Sequence, residues 1–372
     1  MPFQLSSALE AVTTAARAAA HEVDAQGRFP KEAVDAARRT GLLGLVSAVE
    51  VGGAGLGLRQ AALAVETIAQ DCGSAAMVLT MHWCGATVIE KLGREPVRRA
   101  IARGDHLSTL AFSESGSRSH FWAPMGTATL AGDAVELQAD KSWITSANHA
   151  DAYVWSSRPS SASGMSTLWL VPRDAAGLEM GAAYDGFGLR GNDSCAVRAR
   201  SVRVAMASRL GEDGAGFDAM MRIVLPTFSV LIAAGSIGIM EAALSATVKH
   251  CTETHHMHLS TSLADLPTIR ETIARMRIRV DATRALWLDS LDAIERARPD
   301  AMLRVLEVKA AAADAAIEVV DAAMRAGGGA AYRKEAGLER RFRDARAAAV
   351  MAPTSDQLHD FLGKAVCGMP LF

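Results

Sequence analysis

The runs AVELQADKSWIT (134–145), DAYVWSS (151–157) and STLWLVP (166–172) decide how this chain divides. Each gathers β-branched and aromatic residues over a few positions and is bounded by Gly, Asp or Ser, the pattern of short strands joined by turns. LSTLAFSES (107–115) and GTATLAG (126–132) share this character, and RARSVRV (198–204) closes the region. The spacing predicts a small β-barrel or sandwich over residues 108–210.

On both sides of that region the period changes to that of helices. FPKEAVDAARRTGLLGL (29–45) and the long run from Leu58 to Gly93 place apolar residues three and four apart, with glycine-rich VGGAGLG (51–57) as a loop between them. Beyond GEDGAGF (211–217), the Ala-rich run AMLRVLEVKAAAADAAIEVVDAAMRA (301–326) predicts a long packed helix that stops at Gly327-Gly328-Gly329. The expected architecture is α+β: an N-terminal helical domain (1–107), a middle β domain (108–210) and a C-terminal four-helix-bundle domain (211–372).

The chain has 372 residues, half of them apolar, and a net charge of −2, which argues against a basic nucleic-acid binder or an acidic tail. Five scattered cysteines fit free thiols in a reducing compartment. The N-terminus lacks both a basic segment and an unbroken apolar core, so a cytoplasmic protein is expected. Residues 223–240 carry no charge, long enough to raise a membrane span. Pro226, Thr227, Ser229, Gly235, Ser236 and Gly238 dilute the stretch, and a buried bundle helix is the expectation, with no membrane contact.

Several motifs fail. The triple glycine follows a helix rather than a strand, so it lacks the context of a dinucleotide loop. Neither a phosphate-binding P-loop nor a nucleophile elbow occurs. Cys251, His255, His256 and His258 lack a second ligand pair, and no metal is expected.

Five motifs, in this order, resemble the acyl-CoA dehydrogenase superfamily of flavoproteins over nearly the whole chain, from Phe29 to Cys367. They are Phe29-Pro30 with GLLGL and VGGAGLG; LAFSESGSRSH (110–120), similar to T-E-P-G-x-G-S-D; Lys141-Ser142-Trp143-Ile144-Thr145, similar to K-x-W-I-T; GFGLRGNDSC (186–195) with SVRV (201–204); and GGGAAY (327–332), Arg343-Asp344-Ala345 and MAPTSD (351–356). The resemblance implies FAD, whose reduction places negative charge on ring atoms that need hydrogen-bond donors. It implies that the Thr145 hydroxyl meets flavin N5, that Trp143 and Ile144 line the ring, that Phe112 and Ser113 serve the pyrimidine, and that Ser119 lies by the diphosphate. Gly328 and Gly329 would admit the cofactor of a neighbouring subunit, and Thr354 and Asp356 would lie near the adenylate. A homodimer or homotetramer follows, because such sites are completed across a subunit interface.

The departures bear on mechanism. The glutamate that removes a substrate proton in most members falls at Ala352. Its alternative place on the first long helix after the β domain falls near Phe228, and the D-x-x-R that holds the substrate carrier reads Pro226 and Ser229. The family's cross-dimer arginine reads His256, and its glutamine before G-G reads Arg325, which could supply a guanidinium to the diphosphate instead. His82 in TMHWC has an imidazole suited to proton transfer, or it is a satisfied helix histidine; His359 is a weaker candidate. Glu114 matches a structural glutamate of the family.

A flavin enzyme oxidising or oxygenating an acyl thioester without the usual base is the leading expectation. The alternative is a flavin monooxygenase acting through a C4a-hydroperoxide on a small molecule without CoA. The electron acceptor, or the flavin reductase and O2, stays open. A flavin-free binding scaffold is disfavoured by Ser113, Trp143 and Thr145.

Overall fold

A computed structural model of the chain describes residues 3–117, 120–256, 258 and 260–370. Five helices come first: α1 (Leu5–Gln26), α2 (Lys31–Arg39), α3 (Leu58–Ala69), α4 (Gly73–Leu92) and α5 (Glu95–Ala102). Helix α1 buries Val12, Ala16, Ala19 and Val23 along one stripe and ends at Gly27, whose φ of 63° is the left-handed conformation a helix terminus favours.

The strands follow: β1 (Ser108–Ala111), β2 (Thr127–Ala131), β3 (Ala134–Ile144), β4 (Ala152–Ser157), β5 (Thr167–Pro172), β6 (Leu178–Met180), β7 (Cys195–Ala205) and β8 (Arg209–Leu210). They form two four-stranded sheets, ordered β1-β4-β5-β8 and β2-β3-β7-β6. β1 runs parallel to β4, while β3 is antiparallel to both β2 and β7. Tyr153, Trp155, Trp169 and Val171 from the first sheet join Val135, Leu137, Val197, Ala199 and Val202 from the second in one buried cluster, the core of a sandwich.

The chain then returns to helix with α6 (Gly216–Ala219), a π-helical turn at Met220–Val224, and α7 (Leu225–Glu253). The π turn directly precedes Pro226, which has no N–H to give the α-ladder. The segment Gly216–Glu253 is apolar enough to span a bilayer, but 78 % of its most apolar window is buried inside the protein, as a core helix requires. A short hairpin of β9 (His255–His256) and β10 (Thr261–Ser262) leads to α8 (Pro267–Glu295) and α9 (Ala301–Ala331). Helix α9 breaks its helical dihedrals at Gly328, inside the triple glycine. α10 (Leu338–Asp344), α11 (Ala347–Val350) and α12 (Ser355–Val366) complete the chain.

The contacts group the chain into two compact units. One comprises Met1–Ala64, Ser74–Gly186 and Arg190–Phe228; the other comprises Val65–Gly73, Phe187–Leu189 and Ser229–Phe372. In the second unit, α9 packs against α8, α10 and α12. Trp287 Nε1 donates to the Val230 carbonyl at 3.1 Å, and Arg284 binds both Glu66 and Glu241. Of the metal ligands considered in the sequence, Cys251 is buried and His255 is exposed with Nδ1 3.0 Å from the Glu253 carbonyl, while the His256 side chain lies outside the described residues.

Candidate active site

The K-S-W-I-T run sits at the end of β3, where the pairing with β7 slips. Lys141 faces Val197 and Ile144 faces Cys195, so β3 carries one residue more than its partner, a β-bulge. The bulge turns Trp143 out of the sheet at a φ of 58°, a left-handed conformation that is rare for a bulky residue. Its indole is 61 % exposed, whereas Ile144 beside it is buried in the sandwich core.

Neighbours hold the bulge. The Ser142 N–H donates to the Ser113 carbonyl at 2.9 Å, which brings the Phe112-Ser113 segment alongside Trp143. The Tyr184 ring packs against the indole at a tilt, with centroids 4.5 Å apart, and its own N–H donates to the Ser194 carbonyl at 2.8 Å. The Thr145 hydroxyl is 3.2 Å from the Ser194 hydroxyl, and the Thr145 carbonyl accepts from Thr109 Oγ1 at 2.8 Å. Phe112, Ser113, Trp143, Ile144 and Thr145 therefore gather at one edge of the sandwich. Sequence reasoning missed Tyr184 and Ser194, which no spacing rule connects to Trp143; a lone tyrosine upstream of GFGLRGNDSC was the only trace.

Behind this edge lies a sealed ion pair. Lys141 Nζ donates to Glu114 Oε1 at 2.6 Å and to Ser156, with both side chains inaccessible to solvent. Glu114 also accepts the N–H groups of Met125 and Gly126. Burial pulls the Lys141 amine down to about 8, against the opposing pull of Glu114. The structural role read for Glu114 is thereby given a partner, and the pair ties β3 to the 113–126 loop.

His82 is placed differently from a proton carrier. It is fully buried on α4, with Nε2 3.0 Å from the Leu43 carbonyl and Nδ1 accepting the Ser108 N–H at 3.1 Å. That pattern requires the neutral Nε2–H tautomer and leaves no lone pair for a substrate. Desolvation pushes its pKa down to about 4. The catalytic role for His82 is corrected to that of a fastener between α4 and the start of β1.

In the second unit, Gly328 has a φ of 52°, and a Cβ at Gly328 or Gly329 would meet nothing within 4 Å, so the backbone there is open to close approach. Arg325 is exposed and 3.7 Å from Asp321 on its own helix. Thr354 caps α12, its hydroxyl accepting the Gln357 N–H at 3.4 Å, and Asp356 stands exposed in the first turn. Two buried polar atoms at this helix start, Ser355 Oγ and Gln357 Oε1, have no partner among the described residues. His359 pairs with Asp314 across 3.3 Å. Ser119 and the His256 side chain lie outside the described residues.

These features fit a flavin dinucleotide. Within the first unit an exposed indole beside a threonine hydroxyl suits an isoalloxazine edge; within the second, an orphaned hydroxyl and an orphaned acceptor at a helix start, and an open glycine backbone, suit a dinucleotide's polar tail. Ala352 and Phe228 are half-buried, and Ser229 is buried with no partner for its hydroxyl among the described residues.

A helical, β-sandwich and helical chain bearing this aromatic bulge belongs to a defined class of flavoprotein scaffolds. Profiles of the acyl-CoA dehydrogenase N-terminal, middle and C-terminal domains match residues 5–104, 109–202 and 214–367. The human mitochondrial short-chain specific acyl-CoA dehydrogenase is 30 % identical over 91 % of this chain and 82 % of its own length. The cyclohex-1-ene-1-carbonyl-CoA dehydrogenase of Geobacter metallireducens is 27 % identical over 93 % of this chain and 92 % of its own. The chain belongs to the acyl-CoA dehydrogenase family. The butyryl-CoA dehydrogenase of Megasphaera elsdenii shares the fold at a TM-score of 0.90 and 23 % identity, covering 98 % of each chain. An FAD complex of PigA does so at 0.89 and 18 %, covering 98 % of this chain and 96 % of its own.

Proposed function

We propose that this protein is an FAD-dependent oxidoreductase that oxidises an acyl thioester without an enzymic carboxylate base. The observation that carries the reading is the bulge: an exposed Trp143 beside Thr145, presented by Tyr184 and Ser194. When bound, FAD supplies the two-electron acceptor for hydride leaving the substrate. Thr145 would donate its hydroxyl to the ring edge that gains charge, and Trp143 would shield that edge from water. Phe112 and Ser113 would serve the pyrimidine side, Thr354 and Asp356 would lie near an adenylate, and Gly328 and Gly329 would admit the cofactor of a neighbouring subunit.

No carboxylate stands at position 352 or 228, and His82 is sealed. The proton that accompanies hydride loss would then pass to a base at a non-standard position, to a basic nitrogen of the substrate itself, or to water from a substrate acidified by a second electron-withdrawing group. Several relatives are named for acyl-CoA thioesters, which favours a thioester here; Pro226 and Ser229 in place of the carrier-binding pair leave the carrier to be found. Oxygenation of a small molecule by reduced FAD and O2 is the second reading, favoured by the same missing carboxylates. The family resemblance and the open Gly328-Gly329 backbone favour a homodimer or homotetramer, read by light scattering.

The test is the visible spectrum of FAD-loaded protein during anaerobic addition of acyl thioesters. Bleaching of the flavin band supports thioester oxidation. Turnover that requires a reductant and O2, with no bleaching by any thioester, replaces it with oxygenation. A chain that takes up no flavin defeats both.

A further inference from the structure

Lys309 lies in the middle of α9 and is completely buried, yet among the described residues no carboxylate reaches it. Its amine instead meets three backbone carbonyls from one segment: Ala348 at 3.1 Å, Met351 at 3.0 Å and Pro353 at 2.7 Å. An ammonium has three donors, and these three acceptors use them all. Ala348 lies in the last turn of the short helix α11, where a cation is favoured. Burial alone pulls the amine down to about 7, while the three carbonyls favour its charged form.

The segment so gripped is not an ordinary linker. It contains Ala352, and the residue after its last gripped carbonyl is Thr354, the cap of α12. The orphaned Ser355 Oγ and Gln357 Oε1 follow within three residues of that cap. One side chain from α9 therefore sets the path of the chain into every polar group at this helix start.

We propose that Lys309 is a positioning residue: by gripping the 348–353 backbone it holds the start of α12, from Thr354 to Gln357, in the arrangement that receives the polar tail of FAD. This rests on the FAD reading above. The loss should be local, because α9 keeps its other packing, through Val305, Val308, Ala312 and Val319, without the amine.

The test compares the full-length protein with Lys309→Met, Lys309→Gln and Val319→Ala. Lys309→Gln keeps two N–H donors without the charge and is the variant to follow if Lys309→Met does not fold. Val319→Ala weakens the same helix without touching the segment. Hydrogen–deuterium exchange is read without FAD, and FAD affinity by fluorescence titration. Exchange over 347–358 should rise at least tenfold in Lys309→Met, and FAD affinity should fall at least tenfold. Lys309→Gln should lie between it and the parent in both, and Val319→Ala should keep FAD affinity within twofold. Unchanged exchange in a folded Lys309 variant overturns the grip. Faster exchange with parental FAD affinity overturns the link to the cofactor, as does an equal loss of affinity in Val319→Ala. A parent protein that binds no FAD defeats the functional reading instead, and the exchange arm still decides whether Lys309 holds the segment.

Discussion

Trp143 and Tyr184 set their ring centroids 4.5 Å apart with the planes tilted by 48°. The contact explains how a bulky residue keeps a left-handed backbone, which costs on the order of 1–2 kcal/mol and persists only where neighbours over-determine it. Tyr184 is itself fixed through its N–H on Ser194, so ring and hydroxyl, Trp143 and Thr145, are braced from one point.

Tyr184→Ala should therefore cost about 1 kcal/mol in urea unfolding, the usual worth of an aromatic pair. It should also weaken FAD binding at least fivefold by titration. Tyr184→Phe should do neither, because the hydroxyl it removes stands 3.5 Å from Ser142, at the limit of a hydrogen bond. A Phe variant as weak as the Ala variant would show that the hydroxyl, not the ring, is the brace.

Glu114→Gln should cost about 3–5 kcal/mol, since it strips the sealed Lys141 amine of its counter-ion and leaves it either to carry an unpaired charge or to give up its proton. The double change Glu114→Leu with Lys141→Met should recover part of that loss, and urea midpoints of the single and double variants measure the coupling. Equal losses that simply add would mean that the pair contributes nothing jointly.

His82 makes stability depend on pH with a definite sign. Its folded pKa is lowered from 6.5 to about 4, so below 6.5 the unfolded chain takes up a proton that the folded chain refuses. The stabilisation is present above 6.5 and is lost as pH falls toward 4, amounting to about 2 kcal/mol between pH 7.5 and pH 5. His82→Gln should flatten this part of the curve. If it retains flavin and bleaching activity while doing so, the fastening role stands; abolished bleaching in a folded variant would return His82 to the chemistry.

Ala352→Glu introduces a carboxylate where the resemblance places the family's base. It should raise the anaerobic bleaching rate with simple saturated acyl-CoA thioesters at least tenfold over the parent protein, measured by stopped flow. No gain in a folded, FAD-loaded variant would mean that the thioester carbon does not lie next to position 352.

The strand-rich middle was legible because β-branched and aromatic runs separated by turn residues are a local signal, and Trp155 and Trp169 announced its core. The long Ala-rich helix and its break at the triple glycine were legible for the same reason, since a missing Cβ acts on its own residue. The site was only half legible. Motif matching reached Trp143 and Thr145, but it could not say that Tyr184 packs against one and Ser194 touches the other, because those contacts span 41 and 49 residues with no periodicity between them.

His82 and Lys309 mark the boundary between what each level decides. The sequence by itself determined the order of helix, strand and helix, the motif positions, and the absence of a carboxylate at 352, all carried by neighbouring residues or by identity alone. Only the tertiary structure decided that a histidine of catalytic type has both nitrogens committed, and that an unremarked lysine holds the chain that starts α12. The reason is physical: whether an imidazole or an amine is reactive depends on its solvent exposure and on the atoms that saturate its donors and lone pairs. Those atoms come from residues 26 to 44 positions away, brought close only when the chain packs.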